Sequence, residues 1–223
     1  TYTLSMRDGS APVEKPSDKY TDLDKVTNDT MRDKVKAAID MGIMGSTSST
    51  AYVFAPKADI GRKDIAVIIA RADLIASSED IANAEQADEA LKAMYTDGKD
   101  AFNDLAKCND VQKAAIRYCA EKEIVKGDGA SFNPDGKLTR EEIAIILTNW
   151  AKLDVDKDNV ENTNNIADWN KISNWAKPYV NAVYGKMMNG TGTGFNPKGI
   201  VNREQTASVL VDAFGIIYPE FGN

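Results

Sequence analysis

The sequence contains no histidine, and so lacks the commonest general base and the commonest metal ligand; a hydrolytic triad or a zinc centre has no ready donor. Cysteine is nearly absent as well. Cys108 and Cys119 are eleven residues apart in a stretch, "CNDVQKAAIRYCAEKE", that reads as helix. At 1.5 Å per residue they would stand roughly 16 Å apart, beyond disulfide reach. Both are expected to be free packing thiols, a usage that fits an anaerobe or a cytosolic protein. No apolar run approaches the ~18 residues of a membrane span. The opening "TYTLSMRDGS" holds no signal-peptide core and begins at Thr, so it reads as a mature product or a cut fragment. Basic residues are outnumbered 27 to 34, the net charge is −7, and Lys and Arg form no cluster. That balance argues against nucleic acid, whose phosphates need concentrated positive charge. Any anion this chain binds must be met by local geometry.

The 223 residues, 43% of them apolar, suffice for one large domain or two to three small modules. A repeat decides between these. Phe54 and Pro56, Phe132 and Pro134, and Phe195 and Pro197 each form a Phe-x-Pro, and six residues past each proline stands an arginine: Arg62, Arg140 and Arg203. Four residues further come Ala66, Ala144 and Ala207, then Ile69, Leu147 and Leu210. Upstream, Gly127 and Gly190 precede their phenylalanines by five residues, while Gly45 precedes Phe54 by nine, through a longer loop, "STSSTAYV". Before each glycine runs a helical pattern, and before that an aspartate: Asp22, Asp104 and Asp168.

The units therefore span 20–73, 102–151 and 166–214. An extension covers 1–19, a helical connector rich in Ala and Glu covers 74–101, a polar linker covers 152–165, and a tail covers 215–223. Each unit is a helix, a glycine-containing loop, and a second helix opened by the arginine segment. Thr139 with Glu142 forms a capping box, Asn202 with Gln205 a variant of it, and Gly61 with Asp64 a weaker one. Leu138 and Ile143 are placed for a hydrophobic staple.

These caps put Arg62, Arg140 and Arg203 at the first helical position, where the helix dipole favours an acidic residue. A helix start with an added guanidinium is an anion site. The competing reading pairs each arginine with a nearby acid such as Asp22, Asp104 or Asp168. For the aspartates themselves a helix N-cap role is expected.

The Gly-Phe-Pro-Arg spacing, clearest in "GDGASFNPDGKLTREEIAIIL" and "WAKPYVNAVYGKMMNGTGTGFNPKGIVNREQTASVL", resembles the S-layer homology domain over about two-thirds of the chain. "TREE" is near the family's form, whereas "GRKD" and "NREQ" are looser. The family's tryptophan has its counterpart in Trp175 alone, with Met31 and Gln112 at the equivalent places. The resemblance implies an all-α fold: three tandem repeats in a pseudo-threefold arrangement around a central helix bundle, with grooves between units. It implies no enzymatic activity and no cofactor. It implies a wall anchor, extracellular on the bacterial cell wall or S-layer, that binds secondary cell wall polysaccharide through a terminal pyruvylated N-acetylmannosamine and takes part in surface-layer assembly.

In that reading Arg62, Arg140 and Arg203 meet the ketal carboxylate. Gly45, Gly127 and Gly190 let backbone approach the sugar, Trp175 covers a sugar face, and Asp22, Asp104 and Asp168 accept its hydrogens. Because only one unit has the tryptophan, the sites are expected to be unequal.

Two other classes compete. "SFNPDGKLTREE" nearly fits a calcium loop, with Glu142 as closing ligand, but Ser131 stands where Asp is expected and the other copies place Lys57 and Lys198 at ligand positions. Two carboxylates could run glycoside hydrolysis, but nothing marks a pair among the 34 acidic residues. A helical spacer with empty grooves is the remaining alternative.

Overall fold

The computed structural model describes residues 14–221, so most of the N-terminal extension and the last two residues of the tail lie outside it. Among the described residues there are seven α-helices and no strand. The fold is all-α, as the resemblance implies.

α1 (Asp29–Asp40) and α4 (Asp110–Glu121) are amphipathic. Each is started by an asparagine, Asn28 or Asn109, whose side chain accepts from the backbone N–H three residues on, at 2.9 Å in both. α6 (Lys177–Val183) is shorter and has proline in its first turn, where the missing N–H costs nothing. α2 (Arg62–Ser77), α5 (Arg140–Trp150) and α7 (Arg203–Ile217) begin at the three arginines. The capping boxes of Thr139 with Glu142 and Asn202 with Gln205 are both formed, whereas Gly61, lacking a side chain, caps nothing. α2 and α7 run past the expected unit ends, to Ser77 and Ile217.

These three helices are apolar around most of their circumference; Ile65, Ala66, Val67, Ile68, Ile69 and Ala70 are consecutive and buried. A helix buried on all sides must be interior. The amphipathic helices cover them in a staggered way: α4 packs on α2, α6 on α5, and α1 on α7. Each unit's first helix thus lies on the second helix of the preceding unit, and the first unit lies on the last.

The connector contributes α3 (Ala84–Met94), capped by Asn83 and packed on α2 and α4. Residues 152–165 hold no helix. Cys108 stands just before the cap Asn109, outside the helix that sequence periodicity extends over it, because Asn109 starts α4 there. Both cysteines are buried free thiols, and burial pushes both pKa values up.

The inner helices converge near their C-terminal ends on Asp73, which is 6% exposed. Its carboxylate accepts from Tyr118 Oη (2.6 Å), Lys122 Nζ (2.5 Å), Trp150 Nε1 (3.3 Å) and Tyr218 Oη. One side chain therefore ties α2, α4, α5 and the end of α7. Burial acts to raise its pKa, but the bonds from Lys122, Tyr118 and Tyr218 outweigh that and hold it below the ordinary value.

Candidate functional site

The loop after each glycine is held by the aspartate of its own unit. Asp22 accepts from the N–H groups of Phe54 (2.9 Å) and Ala55 (2.8 Å), Asp104 from Phe132 (2.9 Å) and Asn133 (2.8 Å), and Asp168 from Phe195 (2.6 Å) and Asn196 (2.8 Å). The second residue of each pair, Ala55, Asn133 or Asn196, is left-handed, with φ of 54°, 58° and 55°. A non-glycine residue reaches that region only against a steric cost, and a two-pronged carboxylate is what fixes it. The expected N-cap role of the aspartates is thus corrected: Asn28 and Asn109 cap, and the aspartates clamp the loops. Hydrogen bonds from the N–H groups of Phe132 and Asn133 hold Asp104 below the usual carboxylate range against its desolvation.

The clamped loop presents its carbonyls to an arginine of the preceding unit. Arg62 donates from Nε to Phe132 O (2.9 Å) and from Nη2 to Lys126 O (3.0 Å). Arg140 donates likewise to Phe195 O (2.7 Å) and Asn189 O (2.5 Å), and Arg203 to Phe54 O (2.7 Å) and Gly45 O (2.8 Å). Each guanidinium also lies over the phenylalanine ring it reaches, 4.7 to 4.9 Å from its centroid.

The backbone repeats the join: the N–H groups of Arg62, Arg140 and Arg203 reach Gly136 O, Gly199 O and Ala58 O, each at 3.0 Å. The contacts run from the first unit to the second, the second to the third, and the third back to the first.

The pairing with an acid, the competing reading of these arginines, is not formed among the described residues. None of the three makes an ion pair among the described residues, and their partners are carbonyls. Burial lowers the pKa of all three, opposed at a distance by Glu142 and Asp104 for Arg62, by Asp168 and Tyr184 for Arg140, and by Asp64, Tyr20 and Asp22 for Arg203. In each, Nη1 has no hydrogen-bond partner among the described residues; Arg62 and Arg203 are half-buried, whereas Arg140 is buried, 5% exposed. Arg62 and Arg203 are therefore partly open to solvent, and Arg140 is enclosed.

The glycines differ. A Cβ at Gly127 would stand 2.3 Å from Ser131 O and 2.4 Å from the Phe102 ring, and at Gly190 3.0 Å from Gly194 O and 3.1 Å from Tyr184 Oη. Internal packing accounts for glycine at both. At Gly45 the nearest atom is Tyr20 Oη at 3.9 Å, so the protein itself leaves room there.

Gly45 lines a groove of ≈ 370 Å³ with Arg203, Asp64 and Gln112, residues drawn from all three units. Gln112 Nε2 donates to Asp64 Oδ1 at 3.2 Å. Met31 is partly buried against the core. Trp175 is 55% exposed at the joint of the second and third units, with Lys198 Nζ 6.0 Å from its ring centroid. Glu142, the closing ligand of the calcium-loop alternative, is occupied in its capping box with Thr139.

Sequence reasoning missed Glu141 and Glu204, both 2% exposed. Glu204 accepts from Thr27 N (3.1 Å), Thr27 Oγ1 (2.6 Å) and Lys57 Nζ (2.5 Å); Glu141 accepts from Ser173 N and Oγ (3.0 Å each) and from Lys198 Nζ. The signal was the residue after each arginine. At the remaining joint the polarity is reversed: Lys63 takes the place of the glutamates and pairs with Asp135, and Cys108 precedes its cap as Thr27 precedes Asn28.

Comparison with known proteins meets this geometry at the same loops and helix starts. Residues 101–144 and 165–207 match the S-layer homology domain. The chain is 37% identical over 102 residues to the S-layer protein sap of Bacillus anthracis, covering 45% of this chain and 12% of that protein. It is 30% identical over 119 residues to the surface-layer 125 kDa protein of Lysinibacillus sphaericus (51% and 9%). It is 32% identical over 112 residues to the exoglucanase XynX of Acetivibrio thermocellus (49% and 10%). The chain thus spans about a tenth of the length of these relatives. S-layer homology segments and surface-protein relatives together indicate a cell-surface, cell-wall-associated location and a wall-anchoring role. No described helix is long and apolar enough to cross a membrane.

Proposed function

We propose that the chain anchors an exported surface protein by binding secondary cell wall polysaccharide between its units, with the carboxylate of a terminal pyruvylated N-acetylmannosamine at an arginine. The observation that carries this is Arg203, whose Nε and Nη2 are fixed by carbonyls, which makes no ion pair among the described residues and lines the groove with Gly45. A charge-assisted bond to a carboxylate contributes about 1.5–3 kcal/mol, and here the donor is already oriented. Residues 20–73 form a third unit of the same kind: Asp22, Phe54 and Arg62 repeat the contacts of the two matched segments. The S-layer homology segments act as a non-catalytic module, and the hydrolytic name of one relative belongs to that protein. Several weak grooves on one chain, and many chains in a surface layer, hold firmly because linked sites raise effective concentration.

The test is calorimetric titration with purified wall polysaccharide before and after chemical removal of its pyruvyl groups. Binding that disappears with the pyruvate supports the arginine–carboxylate contact. Binding that survives it sinks that contact and leaves the arginines as ties between units.

A further inference from the structure

The repeat has two conspicuous irregularities, and both border one groove. The longer loop of the first unit begins at Ser46, and the connector helix α3 supplies Ala84 and Asp88; all three line the cavity that holds Arg203. From the Arg203 end the floor runs along α2 from Asp64 through Val67 to Arg71, a rise of about 10 Å at 1.5 Å per residue, longer than a single pyranose ring.

At the far end Arg71 and Asp88 form a two-pronged pair, Nε to Oδ1 at 2.7 Å and Nη2 to Oδ2 at 2.6 Å. Their side chains are 19% and 23% exposed. The corresponding positions of α5 and α7 are Asn149, which donates to Ile124 O, and Asp212, which pairs with Lys34, so neither other joint has the two-pronged arginine–carboxylate fork. The pair fixes a planar donor and a planar acceptor side by side, which matches neighbouring hydroxyls of a sugar, and Val67 and Val111 supply apolar wall for its C–H face.

We propose that the Arg203 groove is a two-residue glycan site, with the acidic terminal sugar at Arg203 and the next sugar of the polymer against Arg71 and Asp88. This rests on the carboxylate reading above and adds a specificity element supplied by α3. Arg71 and Asp88 recognise the second residue, so this groove distinguishes polymers that share a terminal sugar but differ in the following one.

The experiment titrates the whole chain with pyruvylated N-acetylmannosamine and with the wall disaccharide that carries it at its non-reducing end. The unaltered chain should bind the disaccharide about tenfold more tightly, the effect of one or two added hydrogen bonds. Asp88→Asn should remove most of that gain and leave the monosaccharide within about twofold, because the terminal contact to Arg203 is untouched. Ala84→Leu, which adds bulk to the groove wall one turn of α3 before Asp88 without altering the ion pair, should do the same. Equal affinity for the two sugars, or an equal loss of both in either variant, overturns the second subsite while leaving the terminal one. Failure of both sugars to bind overturns the carboxylate reading and this inference together.

Discussion

Arg203 at the start of the last helix donates from Nε to the carbonyl of Phe54, 149 positions earlier, at 2.7 Å, and lies over that residue's ring. This contact closes the series of units. Arg203→Ala removes two charge-assisted hydrogen bonds and should lower stability by about 2–4 kcal/mol. Urea denaturation followed by circular dichroism measures it. A loss below about 0.5 kcal/mol would show that packing of α1 on α7 closes the series without the arginine.

Stability should fall on acidification. The folded pKa of Asp73 lies below its ordinary value of 3.8, so its contribution is complete above that value and is lost as pH falls through the folded pKa. Asp104 acts in the same direction. Thermal melts should be flat for these groups through neutral pH and decline below about pH 4. Asp73→Asn should lower the plateau and shallow the decline; an unchanged acid limb would assign it to other carboxylates.

The glycines separate folding from binding. Gly127→Ala places a methyl within 2.4 Å of Phe102 and should be poorly folded. Gly45→Ala meets nothing closer than 3.9 Å and should melt within a few degrees of the unaltered chain while losing affinity for wall polysaccharide. Full affinity in Gly45→Ala would mean that no ligand approaches the backbone there.

The reversed joint offers a charge-swap test. Lys63→Glu sets two acids against each other at Asp135, whose side chain is 65% exposed, so the cost should be only about 0.5–1 kcal/mol. Adding Asp135→Lys should recover most of it. A double-mutant cycle with no coupling would show that the ion pair contributes nothing at this joint.

Much of this was legible because it is periodic. The Phe-x-Pro to Arg spacing located the starts of all three inner helices to the residue, and Thr139 with Glu142 and Asn202 with Gln205 announced two of them through local capping chemistry. The partners of the arginines were not legible, because a backbone carbonyl leaves no mark in a sequence: Arg62 looks the same whether it meets Asp104 or Phe132 O. Asp22, Asp104 and Asp168 were found by position but misread in role, since each spends its carboxylate on a loop about 30 residues away and not on the next helix. Asp73 was missed because its four donors come from three other segments. Arg71 and Asp88 were invisible as a pair until α3 folded back on α2.

The staggered packing of each unit on its predecessor joins the last described unit to the first, through α1 on α7. An open stack of repeats has two raw ends, each needing a specialised polar terminus, and tolerates lengthening by one copy. Here the end left by the last unit is covered by the first, so neither is raw. Among the described residues the chain meets itself, and each arginine-to-carbonyl joint is supported by the two others.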